Sequence, residues 1–266
     1  LKKKIGNISI KFPDGADLKL KNYPNKIYKS VFDIFLSYQD MDLTLVNQKF
    51  ENKICKKILY FRHETLSKNE NKVEIIKEFS LDPQKKIIVW MPSHVDIKEE
   101  EDKNILDWSN KIHFLKEFYN LIIRPHPKTL LRNEATIKNL EKNKFIIDNN
   151  HGRDISKLIQ CSDIVITDYG SIPLECLYLN KNFVFVDMFS ESKFVQELIY
   201  ADSLEIKIRR DLISLQQTLS RSEIHARIKE SLSYDYQTQV NKKKLEVFGN
   251  NKGLSYIEFI NFLKKL

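Results

Sequence analysis

Asp163-Ile164-Val165-Ile166-Thr167-Asp168-Tyr169-Gly170-Ser171-Ile172-Pro173-Leu174-Glu175 decides the fold: an apolar, β-branched run ends in a Gly-Ser turn, and a helix follows at once. A doubly wound α/β domain presents a helix N-terminus to phosphate in this way, because the first backbone N–H groups of the helix have no partner within it. Gly170 lets the backbone approach a ligand closely, and Ser171 can cap the helix or give its hydroxyl to phosphate. A capped helix after a strand, with no ligand at all, would read the same way.

Working outward, short β-branched strands alternate with helical stretches. Strands are expected over 86–92, 119–124, 144–148 and 182–186, and helices over 73–79, 105–118, 130–141, 154–160 and 171–179. Parallel neighbours need crossover connections, which cover both faces of the sheet. The fold class is therefore α/β, a doubly wound parallel sheet over 70–248. Residues 1–69 are expected to be the tail of another α/β lobe, with turns at Phe12-Pro13-Asp14-Gly15 and Tyr23-Pro24-Asn25, strands over 31–37 and 58–61, and a helix over 40–50. A last amphipathic helix within 249–266 follows the Gly249 to Gly253 break and is expected to pack across the junction.

Composition narrows the function classes. The 266 residues carry 44 Lys and Arg against 36 Asp and Glu, a formal charge of +8, which points to anionic partners. Clusters such as Lys2-Lys3-Lys4, Lys56-Lys57 and Lys242-Lys243-Lys244 are solvated faces or a patch for phosphate-rich substrate or an acidic membrane surface. Nucleic acid is not expected as a partner, since no zinc-finger spacing, RNP-like strand or helix-turn-helix stands out. No run approaches the roughly 20 apolar residues of a membrane span, and no signal peptide is visible, so the expected location is cytoplasmic, with the inner face of the membrane as a peripheral site. Cys55, Cys161 and Cys176 lack metal-ligand spacing and are expected to be free thiols. The chain begins with Leu1, and something upstream is expected to be missing.

Ligands of such sheets gather beyond the carboxyl ends of the strands. Four places there carry polar residues: Pro92-Ser93-His94, Arg124-Pro125-His126-Pro127, Asp168-Tyr169-Gly170-Ser171, and Asp187. His126 stands between two prolines that pin its backbone, and an imidazole can donate to phosphate or protonate a leaving group near neutral pH. Arg124 either braces phosphate or makes a structural ion pair. His63, His94 and His151 are weaker loop candidates, and their spacing matches no metal motif.

These residues resemble the CDP-glycerol glycerophosphotransferases that polymerise teichoic acids and related capsules. The likeness is carried by Asp154-Ile155-Ser156-Lys157-Leu158, by 162–171 with Glu175 and Leu179-Asn180-Lys181, and by Arg124-Pro125-His126-Pro127. More loosely, Leu59-Tyr60-Phe61-Arg62 is similar to a Gly-x-Pro-Arg segment, 89–93 to an apolar-Pro-Thr strand end, and Leu1 to Gly6 to the tail of a His-Gly-Thr-Pro-x-Lys element. The resemblance implies a GT-B architecture, a CDP-alcohol donor, a polymer acceptor, transfer of a polyol phosphate with release of CMP, and no cofactor or metal. It implies that His126 contacts the donor pyrophosphate and assists loss of CMP, and that Gly170 and Ser171 hold phosphate. Arg124, Asp168 and Tyr169 would shape the site, with Glu175, Ser93 and Arg62 as further substrate contacts.

The chain departs from the pattern where Gly170 replaces a usual Ser, Glu175 an Asp, and Tyr60-Phe61 the Gly-x-Pro. The second histidine of the family would fall just before Leu1, so weak or absent turnover by these 266 residues is expected. Two other classes are compatible with the residues. One is a nucleotide-sugar enzyme, either a GT-B glycosyltransferase or a UDP-sugar epimerase; the other is a noncatalytic nucleotide-binding module.

Overall fold

The computed structural model describes residues 8–13, 31–50, 52–64, 68–94, 98–187, 204–250 and 252–266. Two parallel sheets organise them. The smaller contains β1 (Ile10–Lys11), β2 (Ile34–Ser37) and β3 (Ile54–Lys57) in that order. The larger contains β4 (Ile87–Met91), β5 (Asn120–Ile123), β6 (Ile146–Ile147), β7 (Ile164–Thr167), β8 (Phe183–Val186) and β9 (Ser214–Leu215).

Its strand order is β6-β5-β4-β7-β8-β9, with every pair parallel. From β4 the chain winds outward to β6, then returns through the helix Ile155–Cys161 and winds the other way from β7. The reversal falls between the carboxyl ends of β4 and β7, the place where sheets of this kind carry a ligand crevice. Register places Met91 opposite Thr167 and Trp90 opposite Ile123, so the loops after β4, β5 and β7 leave the sheet at one level.

The strands form because their side chains are buried on both faces. Every residue of β4, β7 and β8 is buried, and Trp90 and Trp108 are fully enclosed in the large core. Polar caps fix the flanking helices: Asp154 accepts the N–H of Ser156, and Ser220 with Glu223 forms a reciprocal capping box on Arg221–Glu230. Cys161 and Cys176 are buried free thiols, and burial pushes the Cys161 thiol up to about 11.

A second core joins Ile34 and Leu36 of the small sheet, and Ile58 just past β3, to Phe259 of the helix Tyr256–Leu263. That helix is led in by a clip in which Leu254 N–H donates to Lys57 O and Leu59 N–H donates to Leu254 O, both at 2.9 Å. Gly253 permits the approach, since a Cβ there would lie 2.5 Å from the carbonyl carbon of Ile58.

Several expectations from the sequence need correction. The apolar run 58–61 is not a strand: β3 lies just before it, and a helical turn Phe61–Glu64 follows, which also takes His63 out of a loop. β3 escaped notice because Ile54, Cys55, Lys56 and Lys57 mix exposed and half-buried positions. The expected helix over 130–141 is two helices, Pro127–Arg132 and Glu134–Lys142, broken at Asn133. The helix Leu204–Asp211 and strand β9 had no sequence signal strong enough to mark them. The expected turn at Tyr23-Pro24-Asn25 lies outside the described residues, as do Asp14 and Gly15 of the other one.

Candidate functional site at the strand reversal

Asp168 ends β7 fully buried, and its carboxylate clasps the neighbouring loop. Ser93 N–H donates to both Asp168 oxygens at 3.0 Å, and Tyr169 N–H donates to Oδ1 at 2.7 Å. Ser93 Oγ–H donates to Tyr169 O, so the hydroxyl of Ser93 is also spent on the clasp. Burial pushes the Asp168 carboxyl above its usual value, although Ser93, Arg209 and Tyr169 N–H pull the other way. Asp168 and Ser93 thus hold the loops after β4 and β7 together.

The clasp presents Gly170 and Ser171 at the surface. Gly170 has φ +105°, a region that side chains rarely adopt, while a Cβ there would meet only Ser93 Oγ at 3.6 Å. Gly170→Ala should therefore cost about 1–2 kcal/mol through backbone strain alone. A thermal-unfolding midpoint unchanged from wild type would contradict that. Ser171 opens the helix Ile172–Tyr178 without a side-chain cap bond.

Arg209, which sequence reasoning missed, braces this turn from beneath. Its guanidinium stacks 3.9 Å from the Tyr169 ring centroid and 4.3 Å from that of Phe185, and it donates to Asp168 O. No motif marks it, because Arg209 is brought here from the helix Leu204–Asp211. Asp187, past β8, is held above its usual value by burial, with Arg209 opposing.

On the other side of β4, Pro125 and Pro127 fix His126 as the N-cap of Pro127–Arg132, where its Nδ1 accepts from Lys128 N–H at 3.1 Å. That bond assigns the proton of the neutral ring to Nε2, leaving an N–H donor for a ligand. Burial first, then the charges of His94, Lys128 and Arg124, lower the His126 imidazole from its ordinary value. Its residue surface remains partly open, and a bound anion would favour its protonated form. His94 lies against it, with ring centroids 5.5 Å apart. The signal for His94 was available in its place just past a strand end.

Arg124 is directed along the sheet edge. It is buried, its Nη1 donates to Asp148 O at 2.9 Å, and its Nε lies 3.5 Å from Asp148 Oδ2, which also receives Arg153 Nε at 2.9 Å. Glu175 lies one turn behind Ser171, buried, with Oε2 at 3.5 Å from Ser156 Oγ and 3.9 Å from His63 Nε2. Arg62 falls in the turn Phe61–Glu64, and its side chain lies outside the described residues. The fold thus clasps Ser93 to the turn of Asp168, Tyr169, Gly170 and Ser171 and sets His126 just past β5, on the far side of β4, while Arg124 and Glu175 bond elsewhere. Among the described residues no group of His, Cys, Asp and Glu side chains could hold a metal ion.

Comparison with known proteins agrees with this architecture. The chain is similar to the teichoic acid glycerol-phosphate primase of Bacillus subtilis (strain 168), 29% identical over 210 residues, covering 74% of this chain and 48% of the primase. It is also similar to the teichoic acid poly(ribitol-phosphate) polymerase of Bacillus spizizenii, 28% identical over 117 residues, covering 43% of this chain and 18% of that protein. The chain spans about half the length of the primase, and less of the polymerase. A solved structure of the wall teichoic acid polymerase TagF shares the fold with a TM-score of 0.60 at 19% identity, covering 88% of this chain and 56% of that one. Residues 29–192 match the sequence pattern of the CDP-Glycerol:Poly(glycerophosphate) glycerophosphotransferases, more than half of the chain, and the chain belongs to that family.

Proposed function

We propose that the crevice between β4 and β7 holds a CDP-activated polyol such as CDP-glycerol, and that the protein transfers its polyol phosphate to a hydroxyl of a teichoic acid or related cell-surface polymer, releasing CMP. The observation that carries this is the bond from Lys128 N–H to His126 Nδ1, which turns Nε2 outward as a donor just past β5, across β4 from the Gly170-Ser171 turn. Gly170 and Ser171 would take phosphate oxygens from one side and His126 from the other. As charge builds on the departing CMP, a positioned donor stabilises it and can pass it a proton. Phosphoryl transfer asks chiefly this of a protein, positioning and electrostatic stabilisation. Ser93 and Asp168 would act indirectly, by fixing the turn.

Calorimetric titration with CDP-glycerol, CDP, CMP and UDP-glucose tests the reading. CDP-glycerol and CDP should bind, and His126→Ala should weaken CDP-glycerol by about tenfold or more, the scale of one charge-assisted hydrogen bond. Preference for UDP-glucose would sink it in favour of a nucleotide-sugar enzyme. Among the described residues no helix is long and apolar enough to cross a membrane. We also propose peripheral contact with an acidic membrane surface, carried by lysines other than Lys57 and Lys243. Those two are engaged, Lys57 with Asp40 at 3.1 Å and with Phe248 O, and Lys243 with Asp211 and Glu246.

A further inference from the structure

His94 and Glu101 form a buried pair beside the donor site. His94 Nδ1 lies 2.8 Å from Glu101 Oε1. Glu101 is fully buried and is held twice more, since Thr129 Oγ1 donates to Oε1 at 2.5 Å and Asn133 Nδ2 donates to Oε2. Thr129 belongs to the helix that His126 caps, so one carboxylate fastens the loop after β4 to the helix after β5. The two imidazoles stack at 5.5 Å with planes 22° apart.

A buried carboxylate against Nδ1 fixes the orientation of the His94 ring. A cation on one ring opposes a cation on the other at this distance. We propose that His94, anchored by Glu101, is a positioning residue for His126: it keeps the His126 ring neutral, with its proton on Nε2, until the anionic phosphates of the donor arrive. This rests on the reading of the crevice as the donor site. Glu101, from the helix Lys98–Ile112, and His126 both face His94. Facing His126 are His94, Lys128 and Arg124, all of one sign. The donor's phosphates supply the opposite charge.

The pair also separates two demands on His126. Packing against His94 holds the ring in place, while burial and the neighbours His94, Lys128 and Arg124 together oppose a second proton on it when no substrate is bound. The donor then reverses the balance, because its negative charge offsets the neighbours that oppose the second proton. A protonated His126 would thus be confined to the occupied site, where its proton has a leaving group to go to.

Ring-resolved NMR titration of the intact chain tests this. In the wild-type protein, nitrogen shifts should show neutral His126 as the Nε2–H tautomer, and the Nδ1–H form would overturn the proposal. His94→Asn keeps a donor to Glu101 but removes the charge, and His94→Phe keeps the ring but removes the titrating group. Each should raise the His126 midpoint by about half a pH unit or more. An unchanged midpoint in either folded variant would refute the coupling. Adding CDP-glycerol to wild type should raise the midpoint as well. If the coupling is present but CDP-glycerol moves nothing, the donor reading falls while the His94–His126 coupling stands.

Discussion

His126→Ala should lower the rate of CMP release from CDP-glycerol by about 10²- to 10⁴-fold, the usual worth of a positioned proton donor. The loss should fall mainly on kcat, because the His126 proton matters most as charge develops on the departing CMP. Folding should be little affected. His126 is partly open, and its one structural bond, the acceptance of Lys128 N–H, caps a helix of only six residues. His126→Asn would separate the two contributions, since an asparagine oxygen can accept the Lys128 N–H as a cap but the side chain cannot deliver a proton. A loss in His126→Ala below tenfold would remove His126 from the chemistry.

Asp168→Ala should instead destabilise the fold, by about 2–4 kcal/mol, with the denaturant midpoint as the measure. Two buried backbone donors, Ser93 N–H and Tyr169 N–H, lose their acceptor together, and each unsatisfied group costs about 1–3 kcal/mol. The variant also escapes the cost of burying a charge, which keeps the loss below the sum of the two. The pH dependence has a definite sign. Burial raises the Asp168 carboxyl in the fold. A group raised on folding adds stability in full below its unfolded value, near 3.9, and that part is lost as pH rises through the folded value. The gap between wild type and variant should therefore widen as the solution is acidified toward about pH 4. Equal stability of the two at every pH would show that the loops after β4 and β7 are held by something else.

Much of the scaffold was legible because it is written in local runs. β4, β5, β7 and β8 are apolar stretches buried on both faces, and the Gly-Ser turn was marked by composition alone. The strand order was not written locally, and with it went the juxtapositions that matter. His94 looked weak in isolation because its contact with His126 exists only once β4 and β5 are neighbours. Asp168 was expected only to shape the substrate site, and spacing does not say whether such a carboxylate touches substrate or clasps a loop. Only its burial and its N–H partners distinguish the two, and burial cannot be read from spacing. Arg124 was open between phosphate and an ion pair for the same reason. Its partner Asp148 lies just past β6, the strand that register sets beside β5. β3 and β9 failed for different reasons, one being an edge rich in lysine and the other only two residues long.

The clip at Leu254 has a consequence for the order in which the protein assembles. It pairs the residue after Gly253 with a strand that the chain has left long before. The neighbouring bond from Lys57 to Phe248 O spans 191 positions. Contacts so distant along the chain form late, since the entropy of closing the loop is spent before any apolar burial repays it. The buried core of Ile34, Leu36, Ile58 and Phe259 is small, so the three-stranded sheet is expected to form after the six-stranded one. By the same hierarchy, hydrogen exchange at Leu254 N–H and along the small sheet should be faster than along β4 and β7.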